Sequence, residues 1–481
     1  MTTSSERGLD RRAVLAGGAS LALASCATSE GADALTEAGT RRGAAGRAPN
    51  IVFIMADDLG YADLSCYGRR EYETPALDGL AASGVKFTQG YANSAVCSAT
   101  RAALMTGRYQ YRLPVGLEEP VGFNRVGLPP SHPTLPSLLR EAGYQTALVG
   151  KWHLGAPPDY GPTQSGYDHF WGMRGGSVDY FTHEGFGGRH DLWDGEATIR
   201  EVGYLTDLLG DKSVEMVRRM RADGRPFFLS LHFNAPHWPW EGPDDEAEAE
   251  RLKAIGGQAI LHFDGGDLQT YGAMVTAMDR AIGRVLATLE ELGIVEETIV
   301  VFTSDNGGER FSDTWPFTGK KTELLEGGLR VPLIVRWPGL GAPGSVCGQA
   351  AATMDFMPTL LAAAGTTPHP DYPTDGMDLS AAIGGAAPVP RRLHFRFKHN
   401  SQEACRDGDW KYLKIRENTF LFNVADDPLE RANLKARHPE VFERLVSAHR
   451  VWDATMLPIT AKVFSHGYTG DQLADHFSSE H

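Results

Sequence analysis

Short, continuous apolar runs recur along the chain, and each gives way abruptly to a polar cluster. The first run spans residues 51–55 and stops at Ala56-Asp57-Asp58-Leu59-Gly60-Tyr61. Runs at 144–149, 226–233 and 298–303 behave alike. They are followed by Gly150-Lys151-Trp152-His153, Asn234-Ala235-Pro236-His237 and Ser304-Asp305-Asn306-Gly307. Runs this short, without polar alternation, predict strands buried on both faces. Residues 331–335 predict a further strand. Helical spacing fills the intervals. Thr74 is read as the N-cap of a run to residue 82, with Pro75 at its first position. Residues 134–142 end at Gly143. Residues 205–220 and 354–364 follow, and 271–292 carry Met274, Met278, Ile282, Val285 and Leu289 on one face.

Strands alternating with helices predict an α/β fold: a large, mixed but mostly parallel sheet sandwiched by helices. The pattern changes near Arg391. Residues 393–398, 410–415 and 420–424 predict short strands, and 438–456 an amphipathic helix stopped by Leu457-Pro458. This predicts a smaller C-terminal α+β domain with an antiparallel sheet. The expected layout is a catalytic domain at 50–390, a subdomain at 391–460 and a mostly polar tail at 461–481. The acidic run 244–250 reads as a solvated face or loop. No internal repeat is present.

The first residues read as a targeting segment. Arg11-Arg12 precede an apolar run, 13–24, that is too short to span a bilayer. Twin arginines in that position resemble a bacterial twin-arginine export signal. The ending Leu23-Ala24-Ser25-Cys26 resembles a lipobox, with Cys26 the residue lipidated. Residues 1–26 are thus expected to be an export signal, and 27–49 a flexible linker. The expected location is the periplasm or cell envelope, with membrane contact only through the lipid.

A net charge of −15 argues against a nucleic-acid binder, which would carry a basic stripe. It leaves room for an anionic substrate held by a local cationic cluster. Five cysteines, Cys26, Cys66, Cys97, Cys347 and Cys405, are too few for a disulfide framework. At most one bridge could form among Cys66, Cys347 and Cys405.

In open α/β sheets ligands bind beyond the carboxyl ends of the strands. The four polar clusters fall there. Asp57, Asp58, Asp305 and Asn306 offer only oxygen, the preference of a hard cation. Lys151, His153, His237, Arg101 and one of Lys320 and Lys321 form a cationic half suited to a tetrahedral oxyanion and a departing oxygen. Cys97 opens a helix-like run, with Arg101 one turn later on the same face. Oxygen ligands facing a cationic cage suggest hydrolysis of sulfuryl or phosphoryl esters.

These motifs resemble those of the formylglycine-dependent sulfatases, arylsulfatase-like members of the alkaline-phosphatase-like superfamily. Cys97-Ser98-Ala99-Thr100-Arg101, followed by Leu104-Met105-Thr106-Gly107-Arg108, is similar to the C-x-A-x-R variant of their first signature; Ala99 stands where Pro is commoner. Gly143-Tyr144-Gln145-Thr146-Ala147 through Gly150-Lys151-Trp152-His153-Leu154-Gly155 is similar to the second. The stretches around Asp57, His237, Asp305 and Glu326-Gly327-Gly328-Leu329-Arg330-Val331-Pro332 also fit, over residues 50–440.

The resemblance implies that Cys97 is oxidised to formylglycine by a formylglycine-generating enzyme, in the cytoplasm on the unfolded chain, since twin-arginine cargo folds before crossing. One hydroxyl of its hydrate would attack sulfur, and the second would expel sulfate. Asp57, Asp58, Asp305, Asn306 and the modified Cys97 would bind one Ca²⁺, preferred to Mg²⁺. Arg101 and His153 would act on the hydrate. Lys151, His237 and Lys321 would hold the sulfate, with His237 or Lys321 protonating the leaving oxygen. Lys321 is chosen over Lys320 because the family's lysine stands five residues before the glutamate of Glu-Gly-Gly. Aromatics expected in loops after strand ends, Trp171, Tyr180, His183, Trp193, Trp238 and Trp240, are candidates to touch substrate, with His183 and Trp238 favoured. The expected substrate is a small sulfated sugar or an aryl sulfate. Two other readings stay open: a phosphodiesterase or phosphonate monoester hydrolase of the same superfamily, and a surface binding protein with a dead site.

Overall fold

The computed structural model describes residues 48–121 and 125–477. The export signal, Cys26 and nearly all of the 27–49 linker lie outside the described residues. Ten strands form the main sheet: β1 (Asn50–Ala56), β2 (Val85–Phe87), β3 (Gln145–Gly150), β4 (His169–Gly172), β5 (Trp193–Asp194), β6 (Ala197–Thr198), β7 (Phe227–His232), β8 (Thr298–Ser304), β9 (Leu333–Arg336) and β10 (Ser345–Cys347). Their order is β10-β2-β9-β8-β1-β7-β3-β4-β5-β6. The central five, β8 to β4, are parallel, while β9 runs antiparallel to both neighbours. The expected mixed, mostly parallel sheet is therefore what forms.

Helices α1 (Pro75–Ser83), α2 (Cys97–Thr106), α3 (Leu135–Glu141), α4 (Leu205–Asp223), α5 (Glu246–Ile255), α6 (Leu268–Glu291), α7 (Glu326–Leu329), α8 (Phe356–Ala363) and α9 (Ser380–Ile383) surround it. Strand side chains alternate between two cores. Val52, Ile54, Leu229, Leu231, Val300 and Phe302 face α1, α4 and α6. Ile51, Phe53, Met55, Phe228, Ile299 and Val301 face α2, α3 and α8. Every residue of α2 is buried, so the helix that begins at Cys97 is an interior one.

A separate four-stranded antiparallel sheet follows: β11 (Arg392–Phe397), β12 (Gln402–Asp407), β13 (Trp410–Ile415) and β14 (Asn418–Asn423). Helix α10 (Pro439–Asp453) covers it through Leu445 and Val446, against Cys405, Tyr412 and Leu421. On its other side Phe395, Phe397 and Leu413 pack with Ala99, Leu324 and Leu329. The small sheet thus lies under the start of α2 and under the loop that carries Lys321.

Several expectations need correction. Trp171 and Trp193 lie within β4 and β5, not in loops. The strand expected at 331–335 begins at Leu333, because Pro332 has no N–H to give the ladder. The acidic run, by contrast, forms the solvated face expected of it, on a helix that begins at Glu246. Strand β12 escaped notice because its polar Gln402 and Arg406 are buried. The four described cysteines, Cys66, Cys97, Cys347 and Cys405, are free thiols. The tail folds back on the body and ends in α11 (Leu473–Phe477).

His394 on β11 stacks on Trp452 at 4.9 Å and lies edge-on to Tyr109 at 6.5 Å. Burial, reinforced by His449, pushes it down to about 3. An unfolded histidine titrates near ~6.5. Its stabilising contribution is therefore complete above about pH 6.5 and is lost as pH falls toward about 3. The stability advantage of the native chain over His394→Asn should shrink by roughly 1.4 kcal/mol per pH unit between those limits. Urea titrations across that range check this; a pH-independent difference contradicts it.

Candidate active site

The register explains why the clusters meet. Ala56 pairs with Ser304, Met55 with His232, and His232 with Gly150. The strands end level, so Asp57, Asp305 and Lys151 emerge side by side. Gly307 packs where a Cβ would lie 2.0 Å from the Gly327 carbonyl, so the loop after β8 and the start of α7 meet back to back. That contact brings in the loop bearing Lys321. Three of the residues that shape the site sit in the left-handed region: Asp58 at φ 61°, His153 at 53° and Thr322 at 72°. Such positions cost of order 1–3 kcal/mol each and persist only when neighbours hold them. Thr322 is held by its N–H donating to the Ala95 carbonyl at 2.8 Å and by Gln402 donating to its carbonyl at 2.8 Å.

Asp57, Asp58, Cys97, Arg101, Lys151, His153, His237, Asp305, Asn306 and Lys321 converge and are buried. The Cys97 Sγ lies 3.3 Å from His153 Nδ1. One turn on, Arg101 donates to Asp305 Oδ2 from Nε (3.0 Å) and Nη2 (2.8 Å), and to the Lys151 carbonyl from Nη1 (3.0 Å). Lys151 donates to Asp57, and Lys321 to Asp58 Oδ2 at 2.7 Å. Asn306 Nδ2 donates to Asp58 Oδ1 at 2.7 Å. His237 Nδ1 donates to the Trp238 carbonyl at 2.7 Å, which leaves Nε2 facing Asp58 Oδ2 at 3.6 Å. Lys320 turns away and donates to the Arg310 carbonyl at 3.0 Å, whereas Lys321 points into the cluster.

Ligand atoms of Asp57, Cys97 and Asp305 lie within 4.8 Å of one another, as do those of Asp57, Asp58 and His237. Asp57 Oδ1 and Asn306 Oδ1 are buried without a hydrogen-bond partner among the described residues. An acceptor left in that state costs about 1–3 kcal/mol. Two such oxygens amid carboxylates fit a hard cation.

Burial, then the charge of Asp305, pushes the Asp57 carboxyl well above the usual range, against Lys151. Burial also raises Asp58, opposed by Lys321. At Asp305 burial acts upward too, but Arg101 and Lys151 outweigh it and the carboxyl lies low. Burial, helped by the neighbouring cations, holds His153 and His237 well below their ordinary value, so both are neutral near pH 7. Burial lifts the Cys97 thiol to about 12 even with Lys151 and Lys321 nearby. Unmodified, it is a protonated thiol and a poor nucleophile.

Trp238 adjoins His237, with ring centroids 4.2 Å apart, and packs edge-on to Phe186. His183 is buried, 6.2 Å from the His190 ring, and its Nε2 has no partner among the described residues. Of the other aromatics, Tyr180 donates from its hydroxyl to the His237 carbonyl at 2.9 Å. It positions that histidine rather than facing a ligand.

The network around Glu326, and Lys411 in particular, went unread in the sequence. Glu326 accepts from Arg330 Nε (2.5 Å), Tyr91 (2.6 Å) and Lys411 Nζ (2.9 Å), and Lys411 also pairs with Glu430 at 2.9 Å. This network ties the Lys321 loop to β13. Lys411 stands in a run that looks like any half-exposed strand, so nothing local marked it.

Residues 49–366 match the Sulfatase family profile. Mouse arylsulfatase J is 30% identical, covering 89% of this chain and 79% of its own. Dog N-acetylgalactosamine-6-sulfatase is 34% identical, covering 78% and 74%. The crystal structure of Ps i-CgsB in complex with k-i-k-neocarrahexaose superposes with a TM-score of 0.78 at 30% identity, covering 87% of this chain and 96% of that one. With the strand-end clusters, the Cys97 helix and these likenesses together, the chain belongs to the sulfatase family of the alkaline-phosphatase-like superfamily and is a sulfuric ester hydrolase.

Proposed function

We propose that the protein removes sulfate from a sulfated saccharide, with formylglycine made from Cys97 and one Ca²⁺ held by Asp57, Asp58, Asp305 and Asn306. The observation that carries this reading is the placement of Cys97. Its Sγ stands for the formylglycine oxygens, 3.3 Å from His153 and within 4.8 Å of carboxylate oxygens of Asp57 and Asp305. The modified residue supplies an oxygen nucleophile, and the cation supplies Lewis-acid charge for the sulfate. His153, kept neutral by burial, is the base that takes a proton from that nucleophile. Arg101, fixed by Asp305, adds positive charge beside it. Lys151 and Lys321 bring ammonium groups to the sulfate oxygens. The loop geometry puts Lys321 and His237 together on Asp58. His237 is neutral, so the proton for the leaving oxygen resides on Lys321.

A saccharide is favoured by two relatives. One is an N-acetylgalactosamine-6-sulfatase, and the other was solved with a bound neocarrahexaose. Export by the twin-arginine machinery and a lipid on Cys26 complete the proposal, on the strength of Arg11-Arg12 and Leu23-Ala24-Ser25-Cys26. Cys97 is only 4% exposed, which supports modification before folding.

Mass spectrometry of the tryptic peptide carrying Cys97, from protein made with a formylglycine-generating enzyme, should find the aldehyde; a thiol alone refutes the nucleophile. Lys321→Ala should lower kcat/KM at least ~100-fold, with a larger loss for an alkyl than for an activated aryl sulfate. Equal loss on both would remove its role as acid. Because burial raises Asp57 and Asp58, protons compete with Ca²⁺ for these carboxylates, and its affinity should rise with pH. Calorimetry in buffers of different ionisation enthalpy reads the proton release, and pH-independent binding contradicts this ligand set. Faster turnover of phosphate than of sulfate esters of one alcohol would replace the sulfatase reading itself.

A further inference from the structure

Residues 461–477 look like a polar tail, yet they lie against the loops that carry the site. Gln472 Nε2 donates to Glu309 Oε1 at 2.7 Å. Asp475 pairs with Arg310 at 3.3 Å, and His476 Nδ1 lies 3.0 Å from Glu323 Oε1. Glu309 and Glu323 bracket Lys321. The Lys321 N–H donates to the carbonyl of Gly308 at 3.0 Å, and the Lys320 N–H donates to Glu323 Oε2 at 2.9 Å. At the other end of the segment, the His466 N–H donates to Glu119 Oε1 at 2.5 Å. Its imidazole is near enough to His153 to be felt electrostatically. Ser465 next to it lines, with Ser98 and Ala99, a small pocket at the start of α2. The segment therefore spans from the Cys97 side of the site to the Lys321 side.

Two observations point to a ligand rather than to packing alone. Glu309 is 6% exposed, and its Oε2 is buried with no partner among the described residues. Thr322, directly after Lys321, is 3% exposed, and its Oγ1 is in the same state. A buried carboxylate oxygen without a donor is costly, and a hydroxyl of a bound molecule would offset that cost. The polar groups on this segment and on the loops it covers have one chemistry in common. Glu309 accepts, the Thr322 hydroxyl does both, and His466 and Tyr468 bring an imidazole and a phenol, half-buried on the segment. Asn400 Nδ2 donates to the Tyr468 hydroxyl at 3.0 Å, which leaves that O–H free to donate onward. Such a set complements a molecule rich in hydroxyls. A plain aryl ring offers it nothing.

We propose that residues 464–477 form the wall that receives the alcohol part of the substrate, with Glu309, Thr322 and His466 hydrogen-bonding its hydroxyls, so that this segment selects a polyhydroxylated leaving group over a simple aryl one. This rests on the sulfatase reading and on Lys321 marking the leaving-group side. Gln472 is a positioning residue, since it acts by holding Glu309.

The test compares full-length native protein with His466→Ala and Gln472→Leu. Each is assayed on 4-nitrophenyl sulfate and on 4- and 6-sulfates of galactose and N-acetylgalactosamine. The ratio of kcat/KM on the best saccharide sulfate to that on the aryl sulfate should fall roughly tenfold or more in each variant, because a lost partner leaves a substrate hydroxyl unpaired. The aryl sulfate assay in the same sample reports folding. An unchanged ratio overturns the proposal, whether both rates fall together or neither moves. Turnover of the aryl sulfate with none of any saccharide sulfate by the native protein also overturns it. Loss of turnover on every sulfate ester by the native protein, with phosphate esters still cleaved, would instead defeat the sulfatase reading.

Discussion

The fold depends on keeping three carboxylates in one dry place. The level ends of β1 and β8 force Asp57, Asp58 and Asp305 together, all essentially without solvent. Two like charges 4 Å apart repel by about 4 kcal/mol at an effective dielectric of 20. Arg101, Lys151 and Lys321 each take one carboxylate as a partner. They come from α2, from the end of β3 and from the loop before α7. Neutralising the cluster therefore requires that helix, strand and loop dock on the same sheet edge. The cations proposed to hold the sulfate are the same ones that offset the buried carboxylates. Breaking such a buried pair commonly costs 3–5 kcal/mol, so activity and stability are coupled at these positions.

The small sheet serves the same end from below. Lys411 on β13 bridges Glu326 and Glu430, and Glu326 in turn holds Arg330 and Tyr91. Phe395, Phe397 and Leu413 press on Ala99 and Leu329, one beside Cys97 and the other at the end of the Lys321 loop. The second layer of polar and apolar contacts fixes both walls of the site relative to one another. Ala99 also borders the pocket at the start of α2.

Much of this was legible in the chain. Buried parallel strands carry a strong local signal, because residues such as Ile51-Val52-Phe53-Ile54-Met55 leave no solvent face. The polar residue after each strand then identifies the sheet edge. What was not legible depends on partners distant in sequence. Lys411 and Gln402 are polar residues in strand-like runs, and their burial is decided by Glu326 and by the Thr322 backbone. Trp171 and Trp193 belong to short strands whose pairing on both sides, not composition, makes them strands. The tail carries no periodicity, since its docking relies on single hydrogen bonds and ion pairs to Glu309, Arg310 and Glu323.

The span of the central contacts also sets a clock. Arg101 meets Asp305 across 204 residues, and Asp58 meets Asn306 across 248. Parallel pairing over such separations must close long loops before any contact compensates, and it is intrinsically slow. Helix α2 cannot be sealed until β8 has arrived beside β1. The topology that makes the finished site rigid thus holds open a kinetic window in which Cys97 remains reachable on a nascent or unfolded chain. A faster-folding arrangement of the same residues would shorten that window.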